Sequence, residues 1–104
     1  MKVFIAGAMT GIPEFNRPLF NEVAKQFEDN GDVVLNPAVL PDGLKHHEYL
    51  QITLSMIDVC DKVVMIDGWK MSVGATVEYH YAEDMGKIIG YWGKCHDWRI
   101  KQVE

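Results

Sequence analysis

Short apolar runs alternate along the chain with longer segments in which apolar residues recur every three or four positions. The runs have the length and composition of buried parallel strands, and they lie at Val3–Ala6, Val33–Leu35, Lys62–Ile66 and Ile88–Tyr91. The intervening segments have the periodicity of amphipathic helices, and they lie at Arg17–Asn30, His46–Val59 and Gly74–Met85. The pattern therefore predicts the order β-α-β-α-β-α-β.

This order predicts an α/β fold, because strands that alternate with helices form right-handed crossovers and a parallel sheet covered on both faces. We expect one domain over residues 1–104, a Rossmann/flavodoxin-like three-layer sandwich with a mainly parallel sheet of four to five strands. The 93–104 tail is predicted to be a short terminal helix or strand, or a partner contact. Ligands of such sheets bind beyond the carboxyl ends of the strands. That rule selects the loops Gly7–Asn16, Asn36–Gly43 and Asp67–Gly74, and the segment after Tyr91.

Composition narrows the possible partners. The 104 residues are 48% apolar and 24% charged, as in soluble globular proteins, and the net charge is −5 with no basic block. Duplex nucleic acid is therefore not expected as a partner, whereas a single nucleotide needs only one or two cations and backbone N–H groups. The apolar run near the N-terminus is too short for a signal peptide or a membrane span, so we expect a cytoplasmic protein that does not enter membranes, in the host cytoplasm if phage-encoded.

The first selected loop contains GAMTG, from Gly7 to Gly11. Glycines let backbone N–H groups approach an anion closely, while Thr10 offers a hydroxyl and Arg17 a cation. The loop lacks the lysine of a P-loop, and a tight turn that needs glycine for its geometry explains the same residues.

The loop before the third helix combines Ser72 and Gly74 with Glu78, which follows inside the helix. Ser72 lies where a helix N-terminus presents unpaired N–H groups, which is an arrangement suited to anions. The positive end of the helix is expected to favour the ionised form of Glu78, which suits attack on an anomeric carbon. Alternatively, Ser72 is only a helix cap and Glu78 a favourable first-turn charge.

Three other features have weaker signals. Trp69 is suited either to stacking on a base or to covering the end of the sheet. The histidines at 46, 47 and 80, and Cys95-His96, have no convincing zinc spacing, so we expect no metal and no organic cofactor. Cys60 and Cys95 do not suggest a disulfide framework.

Taken together, five segments resemble the nucleoside 2-deoxyribosyltransferase-like superfamily, and most closely its small phage and bacterial branch with an uncharacterised domain. They are VFIAGAMTG (Val3–Gly11), FNRPLF (Phe15–Phe20), VVLNPA (Val33–Ala38), CDKVVMIDGW (Cys60–Trp69) and SVGATVEYHYAEDMGK (Ser72–Lys87). The resemblance extends from about Val3 to Tyr91.

The resemblance implies roles for both loops. Glu78 matches the carboxylate that acts at C1′ of the nucleoside, and Ser72 matches the serine that binds the 5′-phosphate in the 2′-deoxynucleoside 5′-phosphate N-hydrolases. The GAMTG loop resembles the first phosphate-and-sugar loop of those enzymes. The expected catalytic residue is Glu78, and the expected substrate-binding residues are Gly7, Ala8, Met9, Thr10, Gly11, Arg17, Asn36, Asp67, Trp69, Ser72 and Gly74. Trp69 or the Asn36–Gly43 loop is expected to face the base.

Two positions depart from the hydrolases. Phe4 replaces a tyrosine that contacts the catalytic carboxylate, and Thr53 replaces an aspartate that is thought to help protonate the leaving base. Threonine is no acid at neutral pH, so Asp58, about one helical turn away, is the candidate substitute. Asp61 is expected to be a structural residue between helix and strand.

The sequence thus predicts an N-glycosidic bond hydrolase or transferase for a (deoxy)nucleoside 5′-monophosphate. Two alternatives remain open: a nucleotide-binding or sensor protein without turnover, and an interaction protein that has kept only the fold. We also expect a homodimer or larger homo-oligomer, with Tyr79, Tyr81, Met85 and the Trp98 tail as candidate contacts, because relatives complete their sites across a subunit interface.

Overall fold

The computed structural model of the chain describes residues 1–93 and the backbone of residues 99–100. Within this part the strands are β1 (Lys2–Ala6), β2 (Val33–Leu35), β3 (Lys62–Ile66), β4 (Ile88–Trp92) and β5 (Arg99–Ile100). The α-helices are α1 (Arg17–Asp29), α2 (His46–Val59) and α3 (Val73–Asp84). Short 3₁₀ helices lie at Pro13–Asn16, Pro37–Val39 and Trp69–Met71. The predicted helices and the first four predicted strands are confirmed to within about a residue at each end.

The strands form one sheet in the order β2-β1-β3-β4-β5. The first four strands are parallel, and β5 pairs antiparallel with β4 through Gly90 and Ile100. The expected α/β fold with a mainly parallel sheet is therefore confirmed. Apart from β5, the prediction for the 93–104 tail, including its contact at Trp98, lies almost entirely outside the described residues.

Alternate residues of β1 face two different apolar layers, as the strand period of two requires. Val3 and Ile5 pack against α1, in a cluster that includes Phe20, Val23 and Phe27. Phe4 and Ala6 face α2 and α3, in a cluster that includes Ile57, Ala75 and Ala82. The sheet is thus covered on both faces, which is the predicted three-layer sandwich.

The cleft for a ligand follows from this arrangement. Strands β1 and β3 are neighbours, but the helices that come next along the chain, α1 and α3, lie on opposite faces of the sheet. The loops after the two strands therefore separate and leave a crevice at their carboxyl ends. Gly7 begins the first of these loops, and a Cβ there would lie 3.1 Å from Ile66 Cβ. Glycine thus lets this loop pass close to the end of β3.

At the opposite end of the sheet, Asp61 joins the starts of three strands. Its carboxylate accepts a hydrogen bond from the Lys2 amide (2.8 Å), its own amide donates to the Lys2 carbonyl (2.8 Å), and its carbonyl accepts from the Ile88 amide (3.1 Å). The hydrogen bond from the Lys2 amide is the main reason why the pKa of Asp61 lies below its usual value. Asp61 therefore has the structural position that the sequence suggests.

Candidate active site

A cavity of about 850 Å³ opens at the carboxyl ends of β1 and β3. This volume lies within the range of small-molecule sites in proteins. Its wall comes from the loop after β1, the start of α1, the loop after β2, one side of α2 and the start of α3. The lining residues are Gly7, Ala8, Met9, Thr10, Phe15, Arg17, Phe20, Pro37, Leu40, Asp42, Gly43, Leu44, His46, Tyr49, Leu50, Thr53, Met71, Ser72, Val73, Gly74, Ala75 and Glu78.

Glu78 is the carboxylate that the fold buries in the wall of this cavity. It is the sixth residue of α3, and only 8% of it is exposed. Thr53, which is 4% exposed and belongs to the neighbouring helix α2, forms a side-chain hydrogen bond with it. The Thr53 hydroxyl also donates to the Leu50 carbonyl oxygen (3.4 Å). The packing of α2 on α3 thus fixes the direction of the Glu78 side chain.

The protonation of Glu78 differs from the expectation. Burial raises the pKa of Glu78 from its ordinary 4.5 to about 7, even though the hydrogen bond from Thr53 lowers it. Burial thus outweighs the expected influence of the positive helix end, because that influence fades within the first turn, whereas desolvation acts wherever a carboxyl is buried. With the pKa at about 7, both the protonated and the ionised form of Glu78 are populated near neutral pH.

Ser72 begins α3 as its N-cap. Its Oγ accepts a hydrogen bond from the Ala75 amide (3.1 Å), which satisfies one of the helix's unpaired donors. The Ser72 hydroxyl proton remains available to a ligand oxygen, and Gly74 next to it also lines the cavity. Thr76 is occupied instead, since its hydroxyl donates to the Ser72 carbonyl (2.8 Å).

The loop after β1 ends in a left-handed turn. Glu14, Phe15 and Asn16 have φ values of 55°, 53° and 60°, a region that residues other than glycine seldom occupy. The Asn16 side-chain amide donates to the Ala8 carbonyl (3.0 Å) and ties the turn to the GAMTG loop. The turn directs Phe15 and Arg17 to the cavity.

Arg17 lines the cavity but is already engaged. Its Nε donates to the Ala38 carbonyl (3.2 Å), and its Nη2 donates to the Leu40 carbonyl (3.4 Å) and to the Asp42 carboxylate. Arg17 therefore holds the loop after β2 in place, and its charge is paired with that of Asp42.

Most of the expected substrate-binding residues line the cavity, and four of them do not. Gly7, Ala8, Met9, Thr10, Arg17, Ser72 and Gly74 line the cavity together with Glu78, while Gly11, Asn36, Asp67 and Trp69 do not. The Asn36 side chain instead caps the 3₁₀ helix that follows it, accepting from the Ala38 amide (3.0 Å), and its Nδ2 donates to Asn21.

Trp69 is directed away from the cavity. Its ring stacks on that of Tyr79, with 4.7 Å between the ring centroids, and packs against the core layer under α2 and α3. Of the two alternatives for Trp69, packing at the end of the sheet is the one that the structure shows. Asp67 lies beside Gly93, and its amide donates to the Trp92 carbonyl (2.7 Å).

Sequence reasoning missed cavity residues that come from α2 and its preceding loop, notably His46, Tyr49 and Leu50. The Tyr49 hydroxyl donates to the Pro41 carbonyl (2.6 Å) and accepts from the Leu44 amide (3.3 Å), so it shapes the loop. One available signal was position, because the N-terminus of α2 follows β2 at the same carboxyl edge of the sheet.

The candidate substitute for the missing acid lies elsewhere. The Asp58 carboxylate accepts a hydrogen bond from the Tyr81 hydroxyl (2.5 Å) on an exposed surface, and Asp58 is not among the residues lining the cavity. Its proposed role as a replacement acid is therefore contradicted. Phe4 is completely buried in the layer under α2 and α3 and has no polar group to offer Glu78.

Among residues 1–93 no group of three or more histidine, cysteine or acidic side chains is arranged to hold a metal ion. In the same part of the chain, no helix combines the length and apolar character that a membrane crossing requires.

Comparison with known proteins identifies the fold. A 2-desoxiribosyltransferase from Leishmania mexicana has a similar structure, with a TM-score of 0.71 and 20% identity over 88% of this chain and 63% of that chain. A CMP N-glycosidase from Clostridium botulinum is also similar, with a TM-score of 0.65 and 24% identity over 89% of this chain and 71% of that chain. The chain thus spans about 63% of the length of the Leishmania protein.

Sequence comparison gives the family. No curated protein matches the chain. The family model described as "Domain of unknown function (DUF4406)" matches residues 1–91, which is most of the sequence. The chain therefore belongs to the DUF4406 family, and it shares its fold with the two solved structures described above.

Proposed function

We propose that this protein breaks the N-glycosidic bond of a nucleoside or 2′-deoxynucleoside 5′-monophosphate, by hydrolysis or by transfer of the sugar. The observation that carries the proposal is Glu78, a buried carboxylate in the wall of a cavity large enough for a nucleotide. The two similar structures are a 2-desoxiribosyltransferase and a CMP N-glycosidase by name, which supports the same reaction class.

In this mechanism the ionised Glu78 carboxylate attacks C1′ or stabilises the positive charge that develops there. The C1′–N bond breaks, and its electron pair leaves with the base, which takes a proton from water. Water then attacks C1′, loses a proton and releases the sugar phosphate, or a second base attacks in its place. The pKa of Glu78, at about 7, leaves a large ionised fraction at neutral pH.

The remaining cavity residues would bind the substrate. The Ser72 hydroxyl, the first N–H groups of α3 and Thr10 are suited to the 5′-phosphate. Since Trp69 stacks on Tyr79 instead, the part of the Asn36–Gly43 loop that lines the cavity, with Pro37 and Leu40, is the better candidate to face the base.

The test is release of free base from a panel of ribonucleoside and deoxyribonucleoside monophosphates, followed by chromatography. Glu78→Gln should reduce release to the background level, because an amide cannot act as the nucleophile. The matched control is Glu83→Gln, an exposed residue later in α3, which should retain activity. Unchanged release by Glu78→Gln would exclude the assigned role.

A second candidate function, nucleotide binding without turnover, is favoured by the contact between Thr53 and Glu78. Threonine cannot protonate a leaving base at neutral pH, and Asp58 is not among the residues that line the cavity. This candidate predicts stabilisation of the fold by a monophosphate with no base released over long incubation. Detectable release that depends on Glu78 would eliminate it.

We also propose that the protein forms a homo-oligomer. Met71 and Val73 line the cavity and are 89% and 73% exposed, an unusual exposure for apolar side chains that a second copy would relieve. Of the contacts expected from the sequence, Met85 is 52% exposed, whereas Tyr79 and Tyr81 already have partners within the chain. Light scattering of the wild type should give a mass of at least two chains, and Met71→Glu should lower that mass towards one chain. A wild-type mass of one chain would refute the proposal.

A further inference from the structure

Two side chains with N–H donors line the described part of the cavity, Arg17 and His46. Arg17 is used by the fold, since its guanidinium holds two carbonyls of the loop after β2 and pairs with Asp42. A phosphate that recruited Arg17 would have to compete with Asp42 for it. The earlier expectation that Arg17 assists a phosphate is therefore weakened, and His46 becomes the donor to consider.

His46 lies against the start of α3. It is the first residue of α2, and its Cε1 lies 3.6 Å from the position that a Cβ would take at Gly74, the second residue of α3. A glycine there leaves the imidazole in direct contact with the turn that Ser72 caps. In the described part of the chain, His46 has no hydrogen bond or ion pair, and its side chain is exposed to the cavity.

The spacing to Glu78 fits one nucleotide. Gly74 and Glu78 are four residues apart in α3, so they lie on the same face of the helix with about 6 Å between their Cβ positions. A group held between His46 and the start of α3 would thus be one helical turn from the carboxylate. A single pentose spans such a gap, with its 5′-phosphate at one end and C1′ at the other.

We propose that His46 donates a hydrogen bond to the substrate's 5′-phosphate and thereby makes the cavity select nucleoside monophosphates over unphosphorylated nucleosides. This inference rests on the proposed function, to which it adds the residue that sets the substrate class. The Ser72 hydroxyl and the N–H groups of α3 contact the phosphate from one side, and the imidazole contacts it from the other. His46 is a specificity residue, and the bond-breaking step remains with Glu78.

The experiment measures binding without turnover, in the Glu78→Gln background, by calorimetric titration. The probe is the ribonucleoside or deoxyribonucleoside monophosphate that stabilises the wild-type chain most in a thermal-shift panel, paired with the same nucleoside lacking the phosphate. His46→Ala should raise the dissociation constant of the monophosphate about 10-fold or more, because a hydrogen bond to a charged group is lost. Binding of the nucleoside should not change.

Two variants sharpen the comparison. His47→Ala removes the adjacent exposed histidine, which does not line the cavity, and should leave both dissociation constants unchanged. His46→Gln keeps an N–H donor and should restore part of the preference for the monophosphate. An equal loss for monophosphate and nucleoside in His46→Ala, or the same loss in His47→Ala, would overturn the proposal.

Failure of this inference can be distinguished from failure of the proposed function. If the wild type releases base and His46→Ala still binds the monophosphate with full preference over the nucleoside, only the role of His46 is overturned. A monophosphate that binds through His46 but is never cleaved supports the role of His46 and overturns the glycosidase proposal. If no monophosphate in the panel binds, both are overturned.

Discussion

Replacing Glu78 by glutamine should stabilise the protein while it removes the proposed activity. The side chain is 8% exposed, and burial raises its pKa from 4.5 to about 7. A tenfold change in a protonation equilibrium corresponds to about 1.4 kcal/mol, so keeping this carboxylate ionised in the fold costs about 3 kcal/mol relative to the unfolded chain. Glutamine has nearly the same shape, can accept the Thr53 hydrogen bond and has no charge to desolvate.

The sign of the pH dependence follows from the raised pKa. Below pH 4.5 the carboxyl is protonated in both states, and Glu78→Gln should have nearly the stability of the wild type. As the pH rises from 4.5 to about 7, the unfolded state releases its proton first, so the wild type loses stability. Above that range the variant should be more stable by about 3 kcal/mol, which is more than 10 °C in Tm for a domain of this size.

The measurement is urea unfolding of both proteins between about pH 4 and about pH 8, and the quantity compared is the difference between them. Taking the difference cancels the other titrating groups, which the two proteins share. Glu22→Gln, on the exposed side of α1, is the control and should differ from the wild type by less than about 0.5 kcal/mol at every pH. A difference for Glu78→Gln that does not vary with pH, or a variant that is less stable at pH 8, would refute the reasoning.

Three further substitutions test the surroundings of the site. Thr53→Val should raise the pKa of Glu78 further, because it removes a hydrogen bond to the ionised form. The acid limb of the pH–activity profile should therefore move to higher pH in Thr53→Val. In Thr53→Ser, which keeps a hydroxyl, the acid limb should lie at its wild-type pH. Gly7→Ala should lower the free energy of unfolding by about 1–3 kcal/mol in urea titrations, because the new Cβ would lie 3.1 Å from Ile66 Cβ; a stability equal to that of the wild type would contradict this packing. Gly74→Ala has room, with the nearest atom 3.6 Å away, and should raise Tm while weakening monophosphate binding; tighter binding would argue against a phosphate at this turn.

The fold could be predicted from the sequence because its signals are local and repeat along the chain. Helix α2 was predicted with its observed bounds, His46–Val59, and strand β3 at Lys62–Ile66, since apolar spacing and β-branched runs determine both. The cleft followed from the order of strands and helices alone. The same order placed the loops that hold Ser72 and Thr10 at the cavity.

Side-chain direction within the site could not be predicted in this way. Trp69 stacks on Tyr79 of α3, and only the packing of the two segments determines that contact. Two residues of the left-handed turn, Glu14 and Phe15, are of types that usually avoid positive φ, and Asn16 alone does not predict a turn of three such residues. Burial of Glu78 depends on α2 lying across it, and the charge of the helix terminus, visible in the sequence, is the weaker effect.

Two carboxyls at opposite ends of the sheet make the protein respond to acid in opposite ways. Asp61 has a lowered pKa, so its hydrogen bond across the strand starts is kept above pH 3.8 and is lost as the pH falls below that value. Glu78 has a raised pKa, so the cavity end gains stability as the pH falls from about 7 to 4.5. Mild acidification therefore stabilises the fold through Glu78, at the end of the molecule that would receive a ligand. Strong acidification destabilises the fold through Asp61, at the end where the strands begin. From these two groups alone, the folded protein is most stable at a pH between the two transitions, on the acid side of neutrality.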